Sequence, residues 1–523
     1  MKIGRRFFSP SHQHSPLSAS LLLMSAVLLS RVIGYLREAY IAYAFGAGPQ
    51  TDAYVAAFTL PDWLNYLVAG GTASITFISI FTRYTSEGRE EEARRAFSTV
   101  ITVMTAVLVA GIVLAEVFTP QILAAYFHDF TPAQLALCVH LTRILLPTQI
   151  FFYVGGIVSA VLLAKRLFLF PALGPILYNL FIILGGVALS SRLGIASLAY
   201  GAVAGGIAGP FLINAVGAAR AGVGYRMSFD IRHPGFREWV RLSIPLMLGV
   251  SLVAADEWIM RYFAAGLQGD ITRLNYAKRL FAVPMAVLGQ AIGQASLPFF
   301  ARLFGEKKME EFAATVNGSV LRVTAASLLA TSWMMAAALP LVDLVYRRGR
   351  FHFADSQQTA VFFFWFALSL AAWSAQGLYA RGFYAAGDTL TPMVAGTIIT
   401  AASLPMYWWF FQHYAATGLA MASDVGIAVH TLTLAVLLHY RRLVPASGMK
   451  MAELGKALLA SALAFAAAYY VGRMVALEGS RRADIEALLL VSVTWAAAAA
   501  VGLWIMKSGL LMELRARRVS GQV

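Results

Sequence analysis

Apolar runs of about twenty or more residues alternate with short polar connections along almost the whole chain. Each run is long enough for a helix to cross a hydrocarbon layer of about 30 Å. The spacing predicts about fourteen helices, over 17–45, 52–81, 97–118, 132–164, 169–190, 195–219, 238–266, 270–302, 312–346, 354–384, 392–411, 418–440, 454–475 and 487–506. No stretch between them is long enough for a separate soluble domain. The expected fold class is therefore an all-α polytopic membrane protein. The second helix should break, because Pro61 removes one backbone hydrogen bond and Gly70-Gly71 loosens the chain again. Asp52 is placed to cap its start.

The pattern repeats. FGAGPQTD at 45–52 recurs as FAAGLQGD at 263–270, FTLP at 58–61 faces FAVP at 281–284, and IFTRY before one charged loop faces FFARL before the next. Six predicted helices separate the copies. An even number keeps both copies in one orientation, so they should be related by an axis along the membrane normal, with a substrate site between them near the midplane. The organisation this implies is a tail over 1–16, a six-helix lobe over 17–221, a linker over 222–237, a second six-helix lobe over 238–441, a helix pair over 451–507 and a tail over 508–523.

Composition agrees: 59% of the 523 residues are hydrophobic and 13% charged, and the mean hydropathy is +0.69. The net charge of +15 does not describe a nucleic-acid-binding face, because the basic residues fall in short clusters on alternate connections. That asymmetry puts both termini in the cytoplasm, with RRGRF at 347–351 and the Arg481, Arg482 pair as exceptions. The lone Cys138 cannot form an intrachain disulfide. Metal, redox and nucleotide chemistry have no motif here: there is no HExxH, CxxC pair, P-loop or dinucleotide glycine pattern. No cofactor is expected.

What needs explaining is charge inside the apolar runs, where it costs roughly 2.5–3.5 kcal/mol per residue at the bilayer centre. The first repeat carries Arg31, Arg37, Glu38, Asp52 and Asp62; the second carries Asp256, Glu257, Arg261, Lys278 and Arg279. Arg31 and Arg37 are six residues apart, about 240° around a helix, whereas Arg31 and Glu38 nearly share a stripe and could pair internally. Alternatively Arg31, Arg37 and Arg279 converge on an anionic, phosphate-bearing group, whose oxygens guanidinium forks match. Asp256, Glu257 and Asp424 are candidate ion-coupling carboxylates for Na⁺ or a proton, or partners for Arg261. His140 and His430 are isolated histidines, expected to be packed rather than to act as ligands.

The stretch SRVIGYLREAYIAYAFGAGPQTDAY, with the FTLP that follows, resembles a signature of the MurJ (MviN) proteins, lipid II flippases of the multidrug/oligosaccharidyl-lipid/polysaccharide exporter superfamily. NYAKRLFAVPMAVLGQAIGQASLP and GFYAAGDTLTP are similar to two further signatures of that family. The resemblance implies export of an undecaprenyl-diphosphate-linked peptidoglycan precursor across the bacterial cytoplasmic membrane by alternating access. It further implies use of the membrane potential or an ion gradient, and action as a transporter rather than an enzyme, with lipid II as partner and cell-wall synthesis enzymes as possible others. By matched position, Arg31, Arg37 and Arg279 correspond to cavity arginines of the family, and Asp52 to an aspartate important for function. The helix pair at 451–507 would take the lipid tail. The chain departs from the family at Asn65, where many members carry a basic residue, at Gly70, where a glutamate follows, and at Lys278, where an acidic residue often stands. Alternatives are a flippase for another polyprenyl-linked saccharide, a cation-coupled multidrug exporter of the same fold, and a polytopic glycosyltransferase. The last is disfavoured by connections too short to form a catalytic domain.

Overall fold

The computed structural model describes residues 16–66, 72–248, 252–445, 448, 450–475, 477 and 480–509, and among these it is helical with no strand. The two tails, apart from residues 16, 508 and 509, lie outside the described residues, as do Gly70 and Gly71. Ten described helices are long and apolar enough to cross a membrane. The charged first helix and the segmented second and seventh fall outside that set. The chain divides into two compact units, residues 1–249 and 250–523.

In the first unit α1 (Pro16–Phe45) leads through Gly46, at φ +72°, into α2 (Pro49–Ala56). Gly48 caps α2 in an extended conformation, and Pro49 takes the first helical position, where its missing N–H costs nothing. Asp52 therefore sits inside the first turn, its N–H bonded to Gly48 O at 2.9 Å, and does not cap the helix as expected. The predicted break is present. The helical hydrogen-bond ladder is interrupted at Ala57 and Phe58, whose backbones stay in the right-handed helical region, and the chain resumes as α3 (Thr59–Leu64), then α4 (Thr72–Ser86). Pro61 offers no N–H to the Ala57 carbonyl, and that oxygen instead accepts from the Thr142 hydroxyl at 3.2 Å.

The unit continues with α5 (Glu90–Tyr126), α6 (Pro132–Leu145), α7 (Thr148–Ala164), α8 (Leu169–Leu193), α9 (Ala196–Gly206), a π-helical turn at Ile207–Ile213, α10 (Asn214–Arg220) and α11 (Pro234–Leu248). α8 and α9 touch backbone to backbone: a Cβ on Gly185 would lie 2.7 Å from Gly201 Cα. Such close approach is how membrane helices gain packing energy without a hydrophobic drive. The core gathers Phe77, Phe97, Val100, Tyr153 and Trp239. α11, expected in the second lobe, packs on α4 and α5 of this unit.

The second unit comprises α12 (Leu252–Phe263), α13 (Asp270–Pro284), a π-helical turn at Met285–Ala291, α14 (Ile292–Gly305), α15 (Met309–Ala336), α16 (Ala338–Tyr346), α17 (Phe353–Leu368), α18 (Leu370–Ala385), α19 (Leu390–Tyr440), α20 (Met451–Arg473) and α21 (Arg481–Ile505). α19 covers two of the expected helices, separated by a sharp break at Ala415 (φ +49°, ψ −137°). The DTLT of the GFYAAGDTLTP stretch has a structural job. Asp388 accepts the Thr391 N–H at 2.9 Å and its hydroxyl at 2.7 Å, which fixes the start of α19. The last helix, α21, is held to α15 by a reciprocal pair of indole bonds, Trp333 to Ser492 at 2.9 Å and Trp495 to Ser332 at 2.8 Å.

Candidate functional site

In the first unit the charges of α1 are held by α8. Arg37 donates through Nη1 to Asn179 Oδ1 at 2.8 Å and through Nη2 to Glu38 Oε1, while its buried Nε has no partner among the described residues. Asn179 is fixed in turn by donating to Pro175 O, the carbonyl one turn earlier, at 3.0 Å. Glu38 is buried and pairs with its neighbour Arg37. Arg31 is half-buried and has no hydrogen bond or ion pair among the described residues. Asp52 is buried, and Asn65 lies half-buried just past the end of α3. Arg143 pairs with Glu116 between α6 and α5, with Nε to Oε2 at 3.7 Å.

The second unit gathers its charges more tightly. Lys278 Nζ donates to Asp256 Oδ2 at 2.6 Å, Ser423 Oγ donates to the same oxygen at 3.1 Å, and the Tyr407 hydroxyl donates to Asp256 Oδ1. Arg261, buried one turn along α12, reaches Glu257 Oε2 at 3.5 Å. Asp256, Glu257, Lys278 and Arg279 line one cavity of about 90 Å³ with Phe281, Phe366, Trp373 and Ser423. Two carboxylates and two cations thus face a single small space. Asp424 is buried beside it, and among the described residues neither of its carboxylate oxygens receives a hydrogen bond. Ser369 is close to Asp424, but its hydroxyl donates to Phe366 O at 2.7 Å. No group of three His, Cys, Asp or Glu suited to a metal ion occurs among the described residues. His140 is exposed and His430 buried.

Asp270, the sequence counterpart of Asp52, also falls in the first turn of its helix, but directly after a positive-φ glycine, Gly269 at +85°, whereas the positive-φ glycine of the first unit is Gly46. Arg273 joins Asp270 at 2.7 Å and reaches Asp355 on α17 at 2.8 Å. Beside α20 and α21 lies an apolar cavity of about 560 Å³, walled by Leu339, Phe364, Tyr469 and Ala487, with the guanidinium of Arg473 over the Tyr469 ring.

Sequence reasoning missed Asn179, Tyr407 and Ser423. Asn179 left a signal, a lone amide in an apolar helix, which must find a partner in a membrane. Tyr407 and Ser423 left none, because both residue types are common in such helices.

Comparison with known proteins agrees over most of the chain. The family model described as lipid II flippase MurJ matches residues 41–481. A lipid II flippase MurJ from Burkholderia cenocepacia is 30% identical over 431 residues, 80% of this chain and 82% of that protein. A Vibrio cholerae protein named "Probable lipid II flippase MurJ" is 28% identical over 421 residues, 78% of this chain and 80% of that one. Among solved structures, "Lipid II flippase MurJ, inward closed conformation" aligns at TM-score 0.77 with 20% identity, over 93% of this chain and 99% of its own. An inward-facing MATE family transporter of the MOP superfamily aligns at 0.65 with 13% identity, over 80% and 97%. These two likenesses establish the fold.

Proposed function

The chain belongs to the lipid II flippase MurJ family, and on that premise we propose that it moves lipid II, the undecaprenyl-diphosphate-linked peptidoglycan precursor, from the inner to the outer leaflet of the bacterial cytoplasmic membrane. It is a multi-pass membrane transporter and not an enzyme. The observation that carries the cargo class is Arg37. A guanidinium buried in a spanning helix, balanced by one carboxylate and still holding an uncommitted donor, is costly unless an anion completes it. Arg31 in the same unit is a second candidate for that anion, and Arg279 is a candidate in the second unit.

Coupling to a proton, to Na⁺ or to the membrane potential runs through Asp424. Asp256 is already engaged by Lys278, Tyr407 and Ser423, whereas the Asp424 oxygens receive no donor from the described residues. The lipid tail lies along α20 and α21, an assignment supported by the 560 Å³ apolar cavity beside them. Both termini face the cytoplasm, as the basic connections require. Asn65 favours a second reading in which the saccharide attached to the polyprenyl diphosphate differs.

Complementation tests all of this. Expressed in a bacterium depleted of its own lipid II flippase, the chain restores growth, whereas Arg37→Glu and Arg279→Glu do not, although both accumulate in the membrane at the parent level. No rescue by the unmodified, membrane-inserted chain would remove lipid II as cargo. Full rescue by both variants would remove the arginines from its path.

A further inference from the structure

One side of α5 changes character along its length. Ser98, Thr99 and Thr102 lie on a stripe that continues, at 100° per residue, through Ala106, Val109, Val113 and Val117. The later part is bare: Val109, Val113 and Val117 are 40%, 57% and 59% exposed. In a membrane-spanning helix this is the face turned to lipid. The earlier part is buried, and what covers it is the non-helical strap 223–231, which turns at its end where Ile231 N–H bonds Phe229 O at 2.8 Å.

The cover is specific. Arg226 N–H donates to Ser98 Oγ at 3.1 Å and Ser228 N–H to Thr102 Oγ1 at 3.2 Å, while the Ser228 hydroxyl meets Thr99 Oγ1 at 2.9 Å and the Tyr225 hydroxyl meets Thr102 Oγ1 at 2.9 Å. Two residues of strap advance beside four of helix, both about 6 Å, so the strap climbs in the direction α5 runs, toward its apolar stretch. Serine and threonine occupy an otherwise lipid-facing stripe because the strap backbone needs acceptors there.

The other side of the strap is uncovered. Met227, Phe229 and Ile231 are 70%, 62% and 58% exposed. Arg226 and Arg232 alternate with them and are exposed, as is Asp230, whose carboxylate accepts the Arg232 N–H at 3.2 Å. Among the described residues the N–H groups of Tyr225, Met227 and Phe229 have no acceptor. An unpaired N–H in hydrocarbon costs several kcal/mol, so this backbone belongs in the hydrated headgroup layer, with only its side chains reaching down.

The geometry points to an interfacial lipid anchor: residues 223–231, tied to α5 by their backbone and by the Tyr225 hydroxyl, lay Met227, Phe229 and Ile231 into the acyl boundary of the adjacent leaflet and set Arg226 and Arg232 on anionic phospholipid headgroups. The strap is fixed to α5 on one side and to lipid on the other. It rests on the strap's own geometry and is independent of the cargo.

The test uses full-length protein in lipid nanodiscs, with buried Cys138 replaced by alanine. A fluorophore is attached at Met227→Cys, at Phe229→Cys and, as an aqueous reference, at Glu90→Cys. Quenching by spin-labelled lipid relative to aqueous iodide should be about threefold higher at 227 and 229 than at 90. Phosphatidylglycerol should raise that ratio over phosphatidylcholine alone, and Arg226→Gln with Arg232→Gln should abolish the rise. Ratios at 227 and 229 equal to that at 90 would overturn the anchor and leave an edge suited to a protein strand. A phosphatidylglycerol effect unchanged by the double substitution would overturn the headgroup contact.

Discussion

Asp256 offers the sharpest test of the second unit's charge cluster. It is 1% exposed and receives Lys278 at 2.6 Å, Ser423 at 3.1 Å and the Tyr407 hydroxyl. Asp256→Ala leaves a buried ammonium and two hydroxyls without their acceptor, and breaking a buried pair in this way costs about 3–5 kcal/mol. The Lys278 side chain is 20% exposed, so water reaches it in part and the expected loss is at the low end, about 3 kcal/mol. For a unit of this size that corresponds to a melting midpoint lowered by about 6 °C. Asp256→Ala combined with Lys278→Met removes both charges together and should recover all but about 1 kcal/mol, the residue of the lost hydroxyl bonds. The assay is thermal melting of the purified protein in one detergent, for the parent, both single variants and the double. An additive double variant, or an Asp256→Ala midpoint within about 1 °C of the parent, would refute the coupling, since a buried pair gives neither result.

Three further outcomes follow from local geometry. Asn179→Leu takes the acceptor from Arg37 Nη1 and should cost about 1–3 kcal/mol in the same assay, with Arg143 and its partner Glu116 unaffected. Gly155→Ala would place a Cβ 2.1 Å from Pro210 O and should destabilise by about 1–3 kcal/mol or more, whereas Gly455→Ala, with nothing within 4 Å, should be neutral in the same melt. Asp388 supplies a pH signature. Burial favours its neutral form, but the Thr391 N–H and hydroxyl and the Arg441 guanidinium outweigh it and hold the carboxyl below its ordinary 3.8. Because the folded value is depressed, this stabilisation is complete above about pH 5 and is lost as the pH falls through about 4 and below. Melting midpoints between pH 3 and 6 should therefore show a smaller acid loss in Asp388→Asn than in the parent.

The order of apolar and polar residues determined most of the architecture. Run length decided membrane-spanning helices, and the FGAGPQTD and FAAGLQGD pair pointed to a duplicated design, although the positive-φ glycine falls at Gly46 in one copy and at Gly269, a different motif position, in the other. Pro61 decided where the second helix breaks, since a missing N–H acts through the backbone alone. The charges within the apolar runs were also legible, because charge there is costly wherever it sits. Which charge met which partner was not. Arg31 and Glu38 shared a stripe on paper, yet Glu38 took Arg37, and Arg37 took Asn179 from a helix more than a hundred residues away. Lys278, which looked like a spare cation, found its carboxylate on α12 and shares it with Tyr407 and Ser423 from α19. Periodicity fixes the face a side chain occupies on its own helix. The neighbour that face meets depends on how helices pack, and here close glycine contacts, a proline break and a sharp kink at Ala415 made that decision.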